Sequence, residues 1–299
     1  MAFIMNAPSP ITLERGSLAG KLPDVPTPID LEITVRDLRF GRGEKSRRWW
    51  LGGDPVGTAW FNALSATFPR GEAFFVESVR AYRDTAPAHL AEAIRSFIKQ
   101  EVNHSREHVV FNKAAVDAGY KIDHIETRMS EMLDLARGRP PVVNLAATMA
   151  LEHFTAIFAH QLLASPRFLA GADPHIADLW RWHAIEEIEH KAVAYDTFLF
   201  ATQGWSRSKR WKLKALSMFA ITQRFIANRY RDTLDLLAQD GITGWKARAR
   251  VLWYLAGSPG LLRVMLPGWI AYFLPGFHPW NHDDRGLIAG AEAGLAQAG

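Results

Sequence analysis

Hydrophobic residues recur every three or four positions from residue 54 to about residue 239, with polar residues between them. This period is typical of amphipathic helices, and the proline and glycine positions that interrupt it mark the ends of the helices. The pattern predicts helices over residues 70–84, 88–118, 121–137, 141–164, 174–203 and 206–239. No long alternating stretch typical of a strand separates them. The predicted fold class is therefore all-α.

The two ends of the chain differ from this helical region. Residues 1–50 are rich in proline, glycine and charge and predict an irregular N-terminal arm, with one short alternating stretch at 31–35. Residues 251–277 are strongly apolar but contain Arg263, four glycines and three prolines. A membrane-spanning helix needs about 20 apolar residues without such breaks, so we expect a broken helical pair packed on the bundle. An interfacial surface or an entry surface for substrate stays open for this segment. We predict an arm (1–50), a di-metal bundle (51–240) and an apolar helical cap (241–299) in one domain.

Composition narrows the chemistry. The 299 residues are 48% hydrophobic and carry a net charge of +4, as expected for a globular protein with a sizeable core. The chain has no cysteine, which excludes disulfides, thiolate metal sites and a cysteine nucleophile. Any metal must be held by His, Asp and Glu. Residues 1–10 lack the pattern of a secretory signal, so we expect a cytoplasmic protein.

Two Glu-x-x-His motifs are the strongest chemical signal in the sequence. They pair Glu101 with His104 and Glu187 with His190. Residues three positions apart lie on one face of a helix, so each pair can bind a metal ion from one side. Each motif follows a helix that carries a further glutamate, Glu72 or Glu152.

The spacing of these four glutamates predicts one common site. About 12 or 13 residues separate each of them from the break between its helix and the neighbouring helix, so antiparallel packing brings all four to the same level. One Glu from each of two helices and one Glu-x-x-His from each of the other two form the ligand set of di-iron and di-manganese carboxylate proteins. The predicted core is therefore a ferritin-like four-helix bundle.

His183 lies four positions before Glu187 and faces the same way, which predicts a seventh ligand. A role in which His183 only hydrogen-bonds a ligand stays open. Other polar residues near the same faces are expected to support the ligands from behind. The predicted ligands are Glu72, Glu101, His104, Glu152, His183, Glu187 and His190, and the predicted supporting residues are Gln100, Glu186, His108, His153 and His160.

Three segments carry a resemblance to a known family. Residues 68–75, 100–108 and 275–280 read FPRGEAFF, QEVNHSREH and PGFHPW. They resemble a bacterial family described as predicted metal-dependent hydrolases, over roughly residues 30–285. The ligand order, including His183, is also similar to that of the ferritin-like di-iron arylamine N-oxygenases. That second resemblance implies activation of O₂ but covers only the metal motifs, so it implies no substrate.

These observations support three hypotheses about function. The first is a non-haem di-iron oxygenase that uses O₂ and an electron donor to oxidise a hydrophobic small molecule, with Phe75, Phe154 and Phe158 beside the metals. The second is a di-metal hydrolase, and the third is a non-enzymatic metal-binding bundle. Two iron ions are the expected cofactor, although Mn or Zn also suits these ligands. Nucleic-acid binding is not expected, while peripheral membrane contact and a homodimer stay open.

Overall fold

The computed structural model describes residues 27–28 and 30–298, with residues 296–298 described by their backbone alone. In this part of the chain the regular structure is helical, with a single isolated bridge between Leu51 and Ala172. The prediction of an all-α fold is confirmed. The α-helices are α1 (Pro55–Ser65), α2 (Phe68–Arg83), α3 (Ala88–Asp117), α4 (Asp123–Arg137), α5 (Pro141–Ala164), α6 (Pro174–His190), α7 (Val193–Ala201), α8 (Arg207–Gln239), α9 (Gly244–Leu252), α10 (Leu261–Ala271) and α11 (Arg285–Ala298).

Four helices form the bundle that contains all the predicted ligands. Helix α2 packs against α3, α5 packs against α6, and the two pairs meet where α2 contacts α5 and α3 contacts α6. A short turn joins α2 to α3, and the 3-10 turn Pro166–Leu169 lies between α5 and α6. Each pair is therefore antiparallel, as the spacing of the glutamates predicts. That the bundle is specifically ferritin-like remains a prediction.

Proline and an aspartate cap define several helix starts. Pro55, Pro69, Pro141 and Pro174 each occupy one of the first two positions of a helix, where a backbone N–H has no partner within the helix. The Asp54 carboxylate accepts hydrogen bonds from two N–H groups at the start of α1. The predicted break at Pro69 is thus the first turn of α2.

The predicted helix 174–203 is two helices. Helix α6 ends at His190 and α7 begins at Val193. At the break, the Lys191 N–H bonds to the carbonyl of Ile188, three residues earlier, and not to the fourth as in an α-helix. The Lys191 side chain is buried and donates hydrogen bonds to the Asp284 carboxylate and the His282 carbonyl. A distant contact therefore fixes this break, and the local pattern does not reveal it.

The apolar C-terminal segment is broken, as expected. Helix α9 runs into a π-helical turn, Trp253–Gly257, and α10 follows with Pro267 inside it. One described helix, α5, is long and apolar enough to cross a membrane by length and composition alone. Because 61% of its most apolar stretch is buried and the helix carries Glu152, α5 is the core helix of a bundle.

The described part of the N-terminal arm is irregular, and it crosses the outer faces of α3 and α6. The Thr34 N–H donates to Glu189 and the Arg36 N–H donates to Glu186, both on α6. The Phe40 N–H donates to Glu107 on α3. The predicted alternating stretch 31–35 pairs with these side chains and not with a strand. Residues 1–26 of the predicted arm lie outside the described residues.

Candidate metal centre

The four bundle helices bring all seven predicted ligands to one level, and every one of them is buried. Glu72 comes from α2, Glu101 and His104 from α3, and Glu152 from α5, while α6 contributes the remaining three. Overlapping groups of these residues offer ligand atoms that lie within 4.8 Å of one another. The two Glu-x-x-His motifs therefore face each other across the bundle.

One half of the cluster is centred on His190. Its Nε2 lies 3.2 Å from Glu101 Oε1, 3.4 Å from Glu152 Oε2 and 3.5 Å from Glu187 Oε1. A single ring nitrogen thus faces three carboxylates from three helices. Three carboxylates and one imidazole are a suitable set for one hard or borderline divalent cation.

The other half is centred on His183 and His104. His183 Nε2 lies 2.9 Å from Glu187 Oε1 and 3.8 Å from Glu72 Oε1. His104 Nδ1 lies 3.6 Å from the same Glu187 oxygen. Glu187 therefore lies between the two halves, in the position of a ligand that two ions can share.

Several ligand atoms have no hydrogen-bond partner among the described residues although they are buried. They are Glu72 Oε1, both carboxylate oxygens of Glu101 and of Glu152, Glu187 Oε2, His104 Nδ1 and His190 Nε2. A buried polar atom without a partner costs about 1–3 kcal/mol, and a charged one costs more. Unpartnered oxygen and nitrogen atoms of this kind, converging from four helices, fit a pair of bound metal ions.

Burial and mutual repulsion raise the pKa of three of the carboxyls. The pKa of Glu72 and that of Glu101 lie well above the ordinary value, first because both groups are buried and then because other carboxylates are close. Burial raises the pKa of Glu152 to about 7, although His190 opposes this shift. Without metal cations, the carboxyls of the cluster therefore bind protons, which neutralise their charge.

Glu187 and His190 behave as an ion pair within the same cluster. Burial favours the neutral carboxyl of Glu187, but His190 and His183 outweigh burial and lower its pKa well below the ordinary value. Burial likewise opposes charge on His190, whereas Glu187 and Glu152 raise its pKa well above the ordinary value. A bound cation would displace the proton of His190 and take its place beside Glu187.

Two predicted supporting residues hold a histidine of the opposite helix. Gln100 Oε1 of α3 lies 2.9 Å from His190 Nδ1, and Glu186 Oε2 of α6 lies 3.0 Å from His104 Nε2. Each contact orients the ring so that its other nitrogen faces the cluster. The residue before each Glu-x-x-His motif thus contacts the histidine of the other motif.

His108 contacts the third histidine, and two serines missing from the predicted set complete the shell. His108 Nε2 lies 2.6 Å from His183 Nδ1, and His108 Nδ1 lies 2.8 Å from the Ser65 hydroxyl. The Ser105 hydroxyl donates to Glu72 Oε2 at 2.7 Å. Neither serine belongs to a recurring motif, so nothing in the sequence marks it.

His153 and His160 do not support the ligands as predicted. His153 Nε2 contacts the carbonyl of Gly268 in α10, and His160 Nδ1 contacts Asp284. His153 directly follows Glu152, and consecutive helical residues point about 100° apart, so its ring faces the C-terminal helices. His160 lies two turns further along α5, beyond the level of the cluster.

The arm contributes charge that sequence reasoning missed. The Arg36 guanidinium donates to Glu189 Oε1 at 2.6 Å and to Glu189 Oε2 at 3.0 Å, and it also contacts Glu292. Burial raises the pKa of Glu186 to about 7, although Arg36 opposes the shift. The sequence does carry a signal for this contact, the run of glutamates at 186, 187 and 189. Only Glu187 is a predicted ligand, so the other two buried carboxylates needed a positively charged partner elsewhere in the chain.

A cavity of about 140 Å³ reaches one side of the cluster. Glu72, His183 and Glu187 line its inner end, and the rest of its wall is largely apolar. The wall includes the three predicted aromatic residues, Phe75, Phe154 and Phe158. Residues of α4, α8 and α10 also line it. A small hydrophobic group can therefore approach the half of the cluster that contains His183.

Comparison with known proteins identifies the family. No curated protein and no solved structure matches the chain significantly, so the similarity to arylamine N-oxygenases rests on the ligand order alone. A family model described as "predicted metal-dependent hydrolase" matches residues 34–283. That description favours the hydrolase hypothesis over the oxygenase hypothesis. The match includes every predicted ligand and residues 34–50 of the arm, and on this extent the chain belongs to the family of predicted metal-dependent hydrolases.

Proposed function

We propose that this chain is a two-metal enzyme whose substrate is hydrophobic. The observation that carries the proposal is the apolar cavity that ends at Glu72, His183 and Glu187. A bundle that only stores or is only stabilised by metal needs no such access, so the cavity argues against the non-enzymatic hypothesis. The substrate would place its reacting group at the inner end of the cavity and its apolar part against the wall.

The proposed ions divide the seven ligands between them. Glu101, Glu152 and His190 would hold one ion, and Glu72, His104 and His183 would hold the other, with Glu187 between them. Glu101 could reach either ion, because it is close to His190 and also groups with Glu72 and His104. Oxygen and imidazole ligands without sulfur suit iron, manganese or zinc, and we propose iron.

Hydrolysis is the reaction that the family description supports. A bound metal pair would acidify water and polarise the bond to be cleaved. The chain itself would orient the substrate through the cavity wall and hold the ligand rings through Gln100, Glu186 and His108. Because the wall is apolar, an ester or amide of a hydrophobic acid fits this site better than a sugar or a nucleotide.

Oxidation by O₂ is the second candidate, and the same wall favours it. O₂ would be the oxidant, and a reduced iron pair held by these ligands would activate it. The residues of the chain would exclude water from the site, as aromatic and aliphatic side chains do here at Phe75, Phe154 and Phe158. This candidate also needs an electron donor, and nothing in the described surface specifies one.

One experiment separates the two reactions. Protein loaded anaerobically with Fe²⁺ is mixed with p-nitrophenyl esters of increasing chain length, and O₂ uptake is then recorded after air is admitted. Ester cleavage that needs metal and no O₂ would support hydrolysis. Rapid O₂ uptake without anaerobic cleavage would overturn hydrolysis and support oxidation. A protein that retains no metal after loading would contradict the whole proposal.

A further inference from the structure

Positive charge is concentrated in two stretches of the C-terminal third of the chain. Residues 197–231 and 241–282 contain 12 of the 35 Lys and Arg and none of the 31 Asp and Glu. The aspartates between the stretches are paired: Asp232 contacts Arg229 of α8 and Arg128 of α4, Asp235 contacts Arg128, and Asp240 contacts Arg48. Lys214 and Arg229 are buried, whereas the other ten basic residues are exposed or half-exposed, so α8, α9 and α10 carry a basic surface on a chain whose net charge is only +4.

The same helices expose the large apolar side chains that a soluble surface usually avoids. Leu266, Ile270 and Leu274 are about half exposed and recur every fourth residue, so they form one stripe along and just beyond α10. Helix α8 adds exposed residues near its basic first turns. The six residues of this apolar stripe are Trp211, Leu216, Phe219, Leu266, Ile270 and Leu274.

Contacts between α8 and α10 make the stripe continuous. The Trp211 indole N–H donates to the carbonyl of Phe273, which lies between Ile270 and Leu274. The ring of Phe219 packs 4.9 Å from that of Phe273 and 5.6 Å from that of Trp269. The exposed apolar residues of the two helices therefore belong to one patch. Single exposed apolar residues are common on protein surfaces, but a continuous patch indicates an interaction site.

Helix α9 extends the same chemistry towards α10. Trp245 is 75% exposed and Trp253 is 67% exposed, and Lys246, Arg248 and Arg250 are exposed beside them. Trp253 leads directly into the turn that begins α10, where Arg263 donates to the carbonyl of Gly257. Tryptophan beside lysine and arginine is the composition of segments that lie at the boundary between lipid headgroups and acyl chains.

Helices α8 and α10 of this surface form part of the cavity wall. Ile221 and Phe225 of α8 and Leu262 and Met265 of α10 line its wall, and Met265 directly precedes Leu266 of the stripe. Exposed Arg224 of α8 lines the cavity as well. The cavity beside the ligand cluster and the apolar stripe therefore share two helices, α8 and α10.

We propose that α8, α9 and α10 form a docking surface for an anionic lipid bilayer. The apolar stripe and the exposed tryptophans enter the interface, and the basic residues contact the acidic headgroups. A second copy of this chain is the less suitable occupant, because the two basic faces would repel each other. Docking itself does not depend on the reaction, whereas delivery of substrate through the cavity rests on the proposed function.

The test uses the full metal-loaded chain and vesicles of stated composition. We expect co-sedimentation with phosphatidylcholine vesicles that contain about one third phosphatidylglycerol, and much weaker co-sedimentation with pure phosphatidylcholine. High salt should weaken binding without abolishing it, since the apolar stripe contributes independently of charge. Equal binding to both vesicle types, or no binding to either, would overturn the proposal.

Variants locate the surface. The double change Ile270→Ser and Leu274→Ser should lower the partition coefficient tenfold or more, because both residues are exposed and leave the core intact. Leu135→Ser on α4 is the matched control, since Leu135 is 74% exposed and outside the surface. Unchanged binding by the double variant would overturn the assignment. So would a dimer in solution that this variant dissociates, because a second copy would then be the occupant.

Metal content and reaction rate, measured in detergent-free buffer, distinguish a failure of the docking proposal from a failure of the proposed function. A double variant that retains metal and full activity on a soluble ester but loses vesicle binding would support the docking surface alone. A parent chain that binds vesicles without turning over any substrate would leave docking supported and the proposed function contradicted.

Discussion

Glu187 is the residue that most of the candidate ligands share. The same carboxylate oxygen lies 2.9 Å from His183, 3.5 Å from His190 and 3.6 Å from His104. We expect Glu187→Ala to reduce the metal content from two ions per chain to one or none, because both halves of the cluster lose this carboxylate. Elemental analysis after anaerobic loading with Fe²⁺ measures the change.

Glu107 provides the control for that measurement. It is a fully buried glutamate on α3, but it pairs with Arg42 and Arg106 and not with the cluster. Glu107→Gln should therefore retain both ions. Equal metal loss in Glu107→Gln and Glu187→Ala would show that any buried charge change disrupts the fold, and that Glu187 is not specifically a ligand.

The roles of His183 and His108 can be separated in the same way. We expect His183→Ala to abolish the ion on the cavity side, because His183 Nε2 faces Glu72 and Glu187. His108→Gln should keep that ion with weaker affinity, about 10–100-fold, since His108 only orients the His183 ring. Mössbauer spectra of iron-loaded protein report both changes. Two iron environments identical to those of the parent would place His183 outside the ligand set.

Lys214 gives a pH dependence that does not involve the metal centre. Its ammonium is buried beside the rings of Tyr272 and Phe277, and burial lowers its pKa to about 8 from an ordinary 10.5. Between pH 8 and 10.5 the unfolded chain binds more protons than the folded chain, so the free energy of unfolding rises with pH. Below pH 8 the cost of burying the charge is fully present.

We therefore expect Lys214→Met to stabilise the chain at pH 7, by an amount on the order of 1–2 kcal/mol after the favourable ring contacts are discounted. The difference from the parent should shrink as the pH approaches 10.5. Urea unfolding at several pH values measures both quantities. Parallel pH profiles for the two proteins would contradict the buried, titrating ammonium.

At the scale of elements, the arm acts as a strap over the rear of the ligand helices. Arg36 joins it to α6 through Glu189 and to α11 through Glu292, and Gln100 of α3 donates to the Thr34 carbonyl. Four segments that are distant in sequence thereby meet behind the histidines. Movement of this strap would release Glu186 and Glu189, and the ligand rings would lose their orientation.

Arg36→Met is expected to lower metal affinity about tenfold without removing a ligand. The matched control is Arg39→Met, because Arg39 lies on the same arm but pairs with exposed Asp37. Competition with a chromophoric chelator measures the affinity of each variant. Equal affinity in the parent and both variants would show that the arm is only a cover.

The local hydrophobic pattern predicts the helices that hold the ligands, because the apolar face and the ends of a helix depend on residues that are close together in the sequence. The repeated Glu-x-x-His spacing adds the level at which those helices meet. The pattern cannot reveal contacts such as Arg36 with Glu189, which lie 153 positions apart, nor the break at Lys191 that Asp284 fixes. It also misplaced His153, because hydropathy does not show which of two buried faces of α5 meets the cluster.

At the scale of the whole molecule, the ligand cluster and the basic surface lie on different helices. The ligand cluster and its acidic shell occupy the bundle formed by α2, α3, α5 and α6, whereas the basic surface lies on α8, α9 and α10. The cavity is lined by residues of both regions. This arrangement keeps the cationic surface away from the cations that the cluster attracts.

Removal of metal should destabilise the whole chain, since ligands that bind only the folded state add their binding free energy to folding. We expect a chelator to lower the melting temperature by at least several degrees, because each 1 kcal/mol corresponds to about 2–4 °C in a domain of this size. Differential scanning calorimetry of loaded and chelated protein checks this. Identical melting temperatures would contradict metal binding by the orphaned carboxylates.

The unpartnered carboxylates also have a consequence for the lifetime of the protein in a cell. A core that is complete only with its ions unfolds more often when the ions are scarce, and proteases remove chains that unfold. Newly made copies would then accumulate in proportion to metal supply without any change in transcription. The abundance of this protein would thus report how much metal the cell can spare.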